Sequence, residues 1–79
     1  MKAIKQFWEE SEAGWGSRPD GYSLHLTEKD RKAYIQKYWD SMPDKVPAEY
    51  SRPIQFVEID IDEETEEKLK RSTNGLSYA

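Results

Sequence analysis

The stretch from Gly14 to Pro53 constrains the fold more than any other part of the chain: GWGSRPDGYSLHLTEKDRKAYIQKYWDSMPDKVPAEYSRP. Gly14, Gly16, Pro19 and Gly21 punctuate its start, so residues 13–21 read as a loop. Pro19-Asp20-Gly21 suits a tight turn, because proline presets one dihedral and glycine accepts a positive φ. Tyr22 to Leu26 then alternates, with Tyr22, Leu24 and Leu26 on one face and Ser23 and His25 on the other, as a half-buried strand does. Thr27 is a suitable N-cap, and Asp30 three residues on completes a variant capping box. The spacing predicts a helix from Glu28 to Met42, with Ile35, Tyr38, Trp39 and Met42 as its apolar stripe and Tyr34 beside it. Lys29, Lys32, Gln36 and Asp40 fall on the opposite face, and Pro43 ends the helix. Residues 44–53 form an irregular, proline-containing return.

The flanking segments are simpler. In Lys2 to Glu10, Ile4, Gln6 and Trp8 alternate with Ala3, Lys5 and Phe7, while Ile4, Phe7 and Trp8 also fit one face of a helical turn. The segment admits either reading, and its short aromatic composition favours a strand. Ile54 to Ile61 is the clearest strand, with a change of phase between Phe56 and Val57 that suggests a bulge or a strand with both faces partly covered. Asp62 caps an acidic helix from Glu63 to about Ser72, whose first turn is acidic and last turn basic, as the helix dipole favours. Asn74-Gly75 is a helix stop. The expected architecture is α+β: a single domain over 1–79 in the order strand, strand, helix, strand, helix. Its three-stranded antiparallel sheet carries the aromatic helix on one face.

Only 79 residues and no cysteine mean that neither disulfides nor thiolate metal sites staple this core. Ten aromatic residues are the natural source of buried area. No apolar run is long enough for a signal peptide or a membrane span, so a cytoplasmic location is expected. Residues 1–53 hold nine basic and nine acidic side chains, so the whole net charge of −4 comes from residues 54–79. Nucleic-acid binding calls for a basic surface, and this balance argues against it and against anionic membranes.

Candidate sites follow from the same residues. His25 is the sole histidine, the one side chain that ordinarily titrates near neutrality; Ser23 and Thr27 share its strand face. No nucleophile elbow accompanies them, so a structural histidine is the simpler expectation. Asp60 to Glu64 lacks the glycine and ligand spacing of a calcium loop, and no metal or cofactor is expected. Tyr34, Tyr38 and Trp39 have the spacing of core residues rather than of base-stacking platforms. Trp15, between two glycines and near Arg18, fits a contact anchor, and Tyr50 and Arg52 belong to a return that can meet that loop. The acidic stretch containing Glu58, Asp60, Glu63, Glu64 and Glu67 can steer a basic partner.

The Gly14–Pro53 wording, above all Arg18 to His25 and Tyr50 to Pro53, resembles small accessory proteins of phages and mobile elements. The resemblance covers about half the chain and implies a protein that binds another macromolecule, including anti-CRISPR-like inhibitors of host defence. No catalytic residue comes with it. The reading is a non-enzymatic protein-binding module acting on a host protein, possessing no direct nucleic-acid or membrane contact, and monomeric or homodimeric. The alternative is a small hydrolytic or ligand-binding domain using His25 with Ser23, Arg18 or Tyr22, which places a concave site at the turn before the second strand.

Overall fold

A computed structural model describes residues 1–12, 16–43, 45 and 49–78. Its elements are β1 (Lys2–Glu12), β2 (Gly16–His25), α1 (Glu28–Asp40), β3 (Tyr50–Asp60), α2 (Glu63–Arg71) and β4 (Leu76–Tyr78). The α+β class agrees with the expectation, but the antiparallel sheet has four strands in the order β3-β1-β2-β4, not three. The additional β4 pairs only Leu76, Ser77 and Tyr78 with Leu24, Ser23 and Tyr22. Three residues are too few to show an alternation in sequence.

β1 is a strand, and its period-two pattern assigns the two faces of the sheet. Ala3 joins Leu24 and Leu69 in an apolar cluster, with Leu26, Ile59, Ile61 and Leu76 packed around it. Gln6 and Trp8 point the other way and are buried beside Ser23 and His25. Leu24 and His25 are adjacent on β2 and so face opposite sides. α2 therefore covers one face through Leu69, while α1 covers the other through Tyr34 and Tyr38, which meet Trp8 edge-on. The second helix thus makes a third layer.

Both neighbours of β1 carry one extra residue at the same level. Gln6 and Trp8 oppose Phe56 and Pro53, and Phe7 and Glu9 oppose Tyr22 and Pro19. The bulge of β3 thus lies at Ile54–Gln55, upstream of the expected Phe56–Val57 position. The bulge of β2 lies at Asp20–Gly21, where Gly21 has φ 76°, a conformation glycine adopts freely. Beyond the bulges the sheet continues as a three-stranded arm. Gly16–Gly21, expected as a loop, is strand there, and β3 begins at Tyr50 rather than Ile54. Pro19 is tolerated because this part of β2 has no neighbour on its outer side among the described residues, and Pro53 lies in the outermost strand.

The caps form as their sequences dictate: Thr27 accepts from the Asp30 amide at 3.1 Å, and Asp62 from the Thr65 amide at 2.8 Å. α1 stops at Asp40 with Ser41 as C-cap. Its inward face keeps Tyr38 of the expected stripe, with Tyr34 beside it, but adds Arg31 and leaves Trp39 out. Arg31, Tyr34 and Tyr38 face the sheet, while Trp39 is exposed and leans on Tyr38 and Tyr50. Arg31 is admitted because its charge is compensated: its guanidinium donates to Glu28 and to Gln6 Oε1, and it lies 4.0 Å from the Phe56 ring centroid.

Candidate functional site

Beneath α1 runs a buried polar chain built on β1 and β2. The Trp8 indole N–H donates to Ser23 Oγ at 2.8 Å, and Ser23 Oγ lies 2.7 Å from His25 Nε2. His25 Nδ1 lies 2.6 Å from the carbonyl oxygen of Asn74. A carbonyl only accepts, so Nδ1 carries the proton. Nε2 is then the acceptor and the Ser23 hydroxyl donates to it. Every polar atom of the chain is satisfied when the imidazole is neutral. Burial, opposed by the Asn74 hydrogen bond and reinforced by the Arg31 charge, holds His25 below its ordinary pKa. The sequence pairing of Ser23 with His25 is therefore real in space. However, Ser23 is 1% and His25 0% exposed, and the imidazole is oriented by a backbone carbonyl rather than a carboxylate. The arrangement ties the β4-leading turn at Asn74 to the centre of the sheet.

A cleft opens beside the Asp20–Gly21 bulge, at the position where the alternative reading expects a concave site. It encloses about 210 Å³ and is lined by Trp8, Tyr34, Tyr38, Asp20, Ser51 and Ser77, besides Tyr22. Neither Ser23, His25 nor Arg18 lines it. Tyr38 donates its hydroxyl to the Ser51 carbonyl, and the Ser51 hydroxyl donates to Asp20. These bonds tie α1, β2 and β3 together around the cleft.

The residues expected to contact a partner fall into separate groups. Arg18, Tyr50 and Arg52 belong to the arm, where Arg18 bridges Glu10 and Glu12 and Arg52 pairs with Glu9. The return does meet β2 there, through Ser51 and Asp20. Trp15 lies outside the described residues. Glu58 and Asp60 occupy the far end of β3, about 30 Å from Tyr50 at the usual rise per strand residue. Glu63, Glu64 and Glu67 lie on α2, across the sheet from the Glu58 side, because Glu58 opposes Ile4 on the α1 face. Asp60 pairs with Lys2, and Glu64 with Lys68, in exposed ion pairs that hold little energy.

Sequence reasoning did not single out Trp8, Asp20 or Ile54, Phe56 and Val57 as surface features. Trp8 and Asp20 come together only through the bulges. Ile54, Phe56 and Val57 are 50, 48 and 44% exposed because β3 is the outermost strand, which strand composition alone does not reveal. Among the described residues no His, Cys, Asp or Glu cluster is arranged to hold a metal ion, and no helix is long and apolar enough to cross a membrane. Compared with known proteins, the chain matches no family model, no curated protein and no solved structure.

Proposed function

We propose that the chain is a non-enzymatic protein-binding module, of the kind by which a phage or mobile element inhibits or modulates a host protein. One observation carries this reading: Ile54, Phe56 and Val57 stand exposed on an outer strand that continues into Glu58 and Asp60. Phe56 opposes Gln6 on the α1 face and Val57 opposes Lys5 on the other, so the outer strand presents apolar groups beside charge on both faces of its edge, a composition suited to recognition. The bulge at Ile54–Gln55 breaks the regular edge, which favours docking of side chains over addition of a strand. A basic host surface suits the acidic end, where Glu63, Glu64 and Glu67 add to the field.

The hydrolytic alternative rests on the Ser23–His25 contact. It gains less support, because both groups are enclosed and the Arg18 guanidinium is engaged by Glu10 and Glu12.

Affinity capture from host lysate tests the reading, using the wild-type chain, an Ile54→Ser/Val57→Ser variant and a Glu63→Lys/Glu64→Lys/Glu67→Lys variant. A partner retained by the wild type and lost with the apolar variant is expected, and charge reversal weakens capture and its salt sensitivity. Absence of any protein held by the wild type, or equal retention by the apolar variant, overturns it.

A further inference from the structure

We propose that Asn74–Gly75 is a site of covalent self-modification, at which His25 activates loss of the Asn74 side-chain nitrogen as ammonia. Asn74 is the one asparagine of the chain, and a glycine follows it. The pair turns the chain from α2 into β4, with φ at 67° and 143°. Among the described residues neither the Asn74 carboxamide nor the Gly75 N–H has a hydrogen-bond partner, and both residues are part-exposed. The carboxamide is thus free to rotate onto the amide nitrogen beside it, and glycine places no side chain in its way.

The His25 contact supplies the activation. Its Nδ1–H donates at 2.6 Å to the Asn74 carbonyl oxygen, which belongs to the same amide as the Gly75 nitrogen. When that nitrogen loses its proton to hydroxide, the negative charge spreads onto the oxygen. A donor fixed on a fully buried ring stabilises the anion where its charge develops. The nitrogen then attacks Asn74 Cγ and forms the N–Cγ bond. The Cγ–Nδ2 bond breaks, and ammonia leaves with a proton from water, which closes a cyclic imide. Water adds to one imide carbonyl and opens the ring. One water is taken up and one ammonia released, and the net charge of −4 becomes one unit more negative.

Opening at the main-chain carbonyl yields isoaspartate. The backbone then runs through Cβ and Cγ, and the carbonyl that accepted from His25 becomes a carboxylate. A negative charge at Nδ1 favours the imidazolium, whose Nε2 also donates, so the Ser23 hydroxyl loses its acceptor. The lengthened turn also moves Leu76 to Tyr78 out of step with Leu24 to Tyr22. Modification therefore loosens β4 and the polar chain beneath α1 together, whatever partner the chain binds.

The test incubates the wild-type full chain, folded in buffer and unfolded in urea, side by side at one mildly alkaline pH. Peptide mass mapping and an isoaspartate-specific methyltransferase follow the product at residue 74. The folded chain is expected to react at least as fast as the unfolded one. Its Gly75 amide is expected to exchange with solvent without protection, because exchange passes through the same anion. His25→Phe, kept folded, is expected to slow both processes by about tenfold or more, the effect of losing one such donor. Should that variant unfold, the two wild-type measurements decide alone. A slower reaction in the folded chain, or a Gly75 amide as protected as the central strands, shows that the fold shields the site and overturns the proposal. An unchanged or faster reaction in folded His25→Phe overturns the role of the histidine. Failure to capture a host protein leaves these measurements unaffected.

Discussion

Ser23 Oγ stands 2.7 Å from His25 Nε2, while the Trp8 indole donates to the same oxygen from the other side at 2.8 Å. One hydroxyl thus joins two buried rings on neighbouring strands, and the imidazole passes the linkage to the backbone at Asn74. With a neutral His25, Ser23 and His25 each donate once and accept once between the Trp8 donor and the Asn74 acceptor, and the chain closes without an orphan.

Ser23→Ala removes the acceptor for Trp8 and the donor for His25 together. Leaving such groups buried and unpaired costs about 1–3 kcal/mol, more than an average hydrogen bond contributes. Urea unfolding is expected to show that loss, with the Trp8 indole N–H proton exchanging faster with solvent.

The histidine also sets a pH dependence. Its folded pKa lies below the ordinary value, so the neutral form is favoured in the native state. Stability is then fully present above the unfolded pKa of about 6.5 and declines as pH falls toward the folded value, because the unfolded chain takes up the proton first. The charged neighbours acting on the ring are Arg31, which lowers the pKa, and Asp30 and Glu28, which raise it. The unfolding midpoint is expected to fall between pH 7.5 and 5 in the wild type and to change little in His25→Phe over that range. A wild-type midpoint that rises on acidification contradicts the assignment.

Two glycines with positive φ separate conformational strain from crowding. A Cβ on Gly75 lies 2.3 Å from His25 Nδ1 and 2.5 Å from the Leu24 carbonyl oxygen, with φ at 143°, whereas one on Gly16, at φ 88°, meets open space. Gly16→Ala is expected to cost about 1–2 kcal/mol from its dihedral alone. Gly75→Ala adds a collision with the β2 backbone and displaces the imidazole, so thermal unfolding is expected to reveal a much larger loss or no cooperative transition.

Leu69 is the one fully buried residue of α2 and its anchor against Ala3 and Leu24. Leu69→Ala is expected to destabilise by about 2–5 kcal/mol, as truncation of a core leucine does. Amide exchange should accelerate across Glu63–Arg71 while α1 remains protected, since the two helices cover opposite faces.

The residues themselves specified the local structure. Thr27 and Asp62 fixed both helix starts, because a side-chain acceptor is needed only two or three residues ahead. The alternation in β1 distinguished Gln6 and Trp8 from Ala3, Lys5 and Phe7, and the α+β class followed from the mixture of periods. Tertiary pairing decided the rest. Gly16, Pro19 and Gly21 carry loop signals, yet pairing with β1 draws them into a strand whose outer side, at Pro19, meets no neighbour among the described residues to require the missing proline donor. Arg31 carries a surface signal, yet Glu28, Gln6 and Phe56 meet it under the helix and turn α1's face away from the Ile35–Trp39 stripe. The cleft at Trp8 and Asp20 depends on two bulges at one level of the sheet, and the exposure of Phe56 on the strand order. Caps and alternation act within a few residues. Bulges, edges and charge compensation depend on which distant segments become neighbours, and only the folded sheet brings those together.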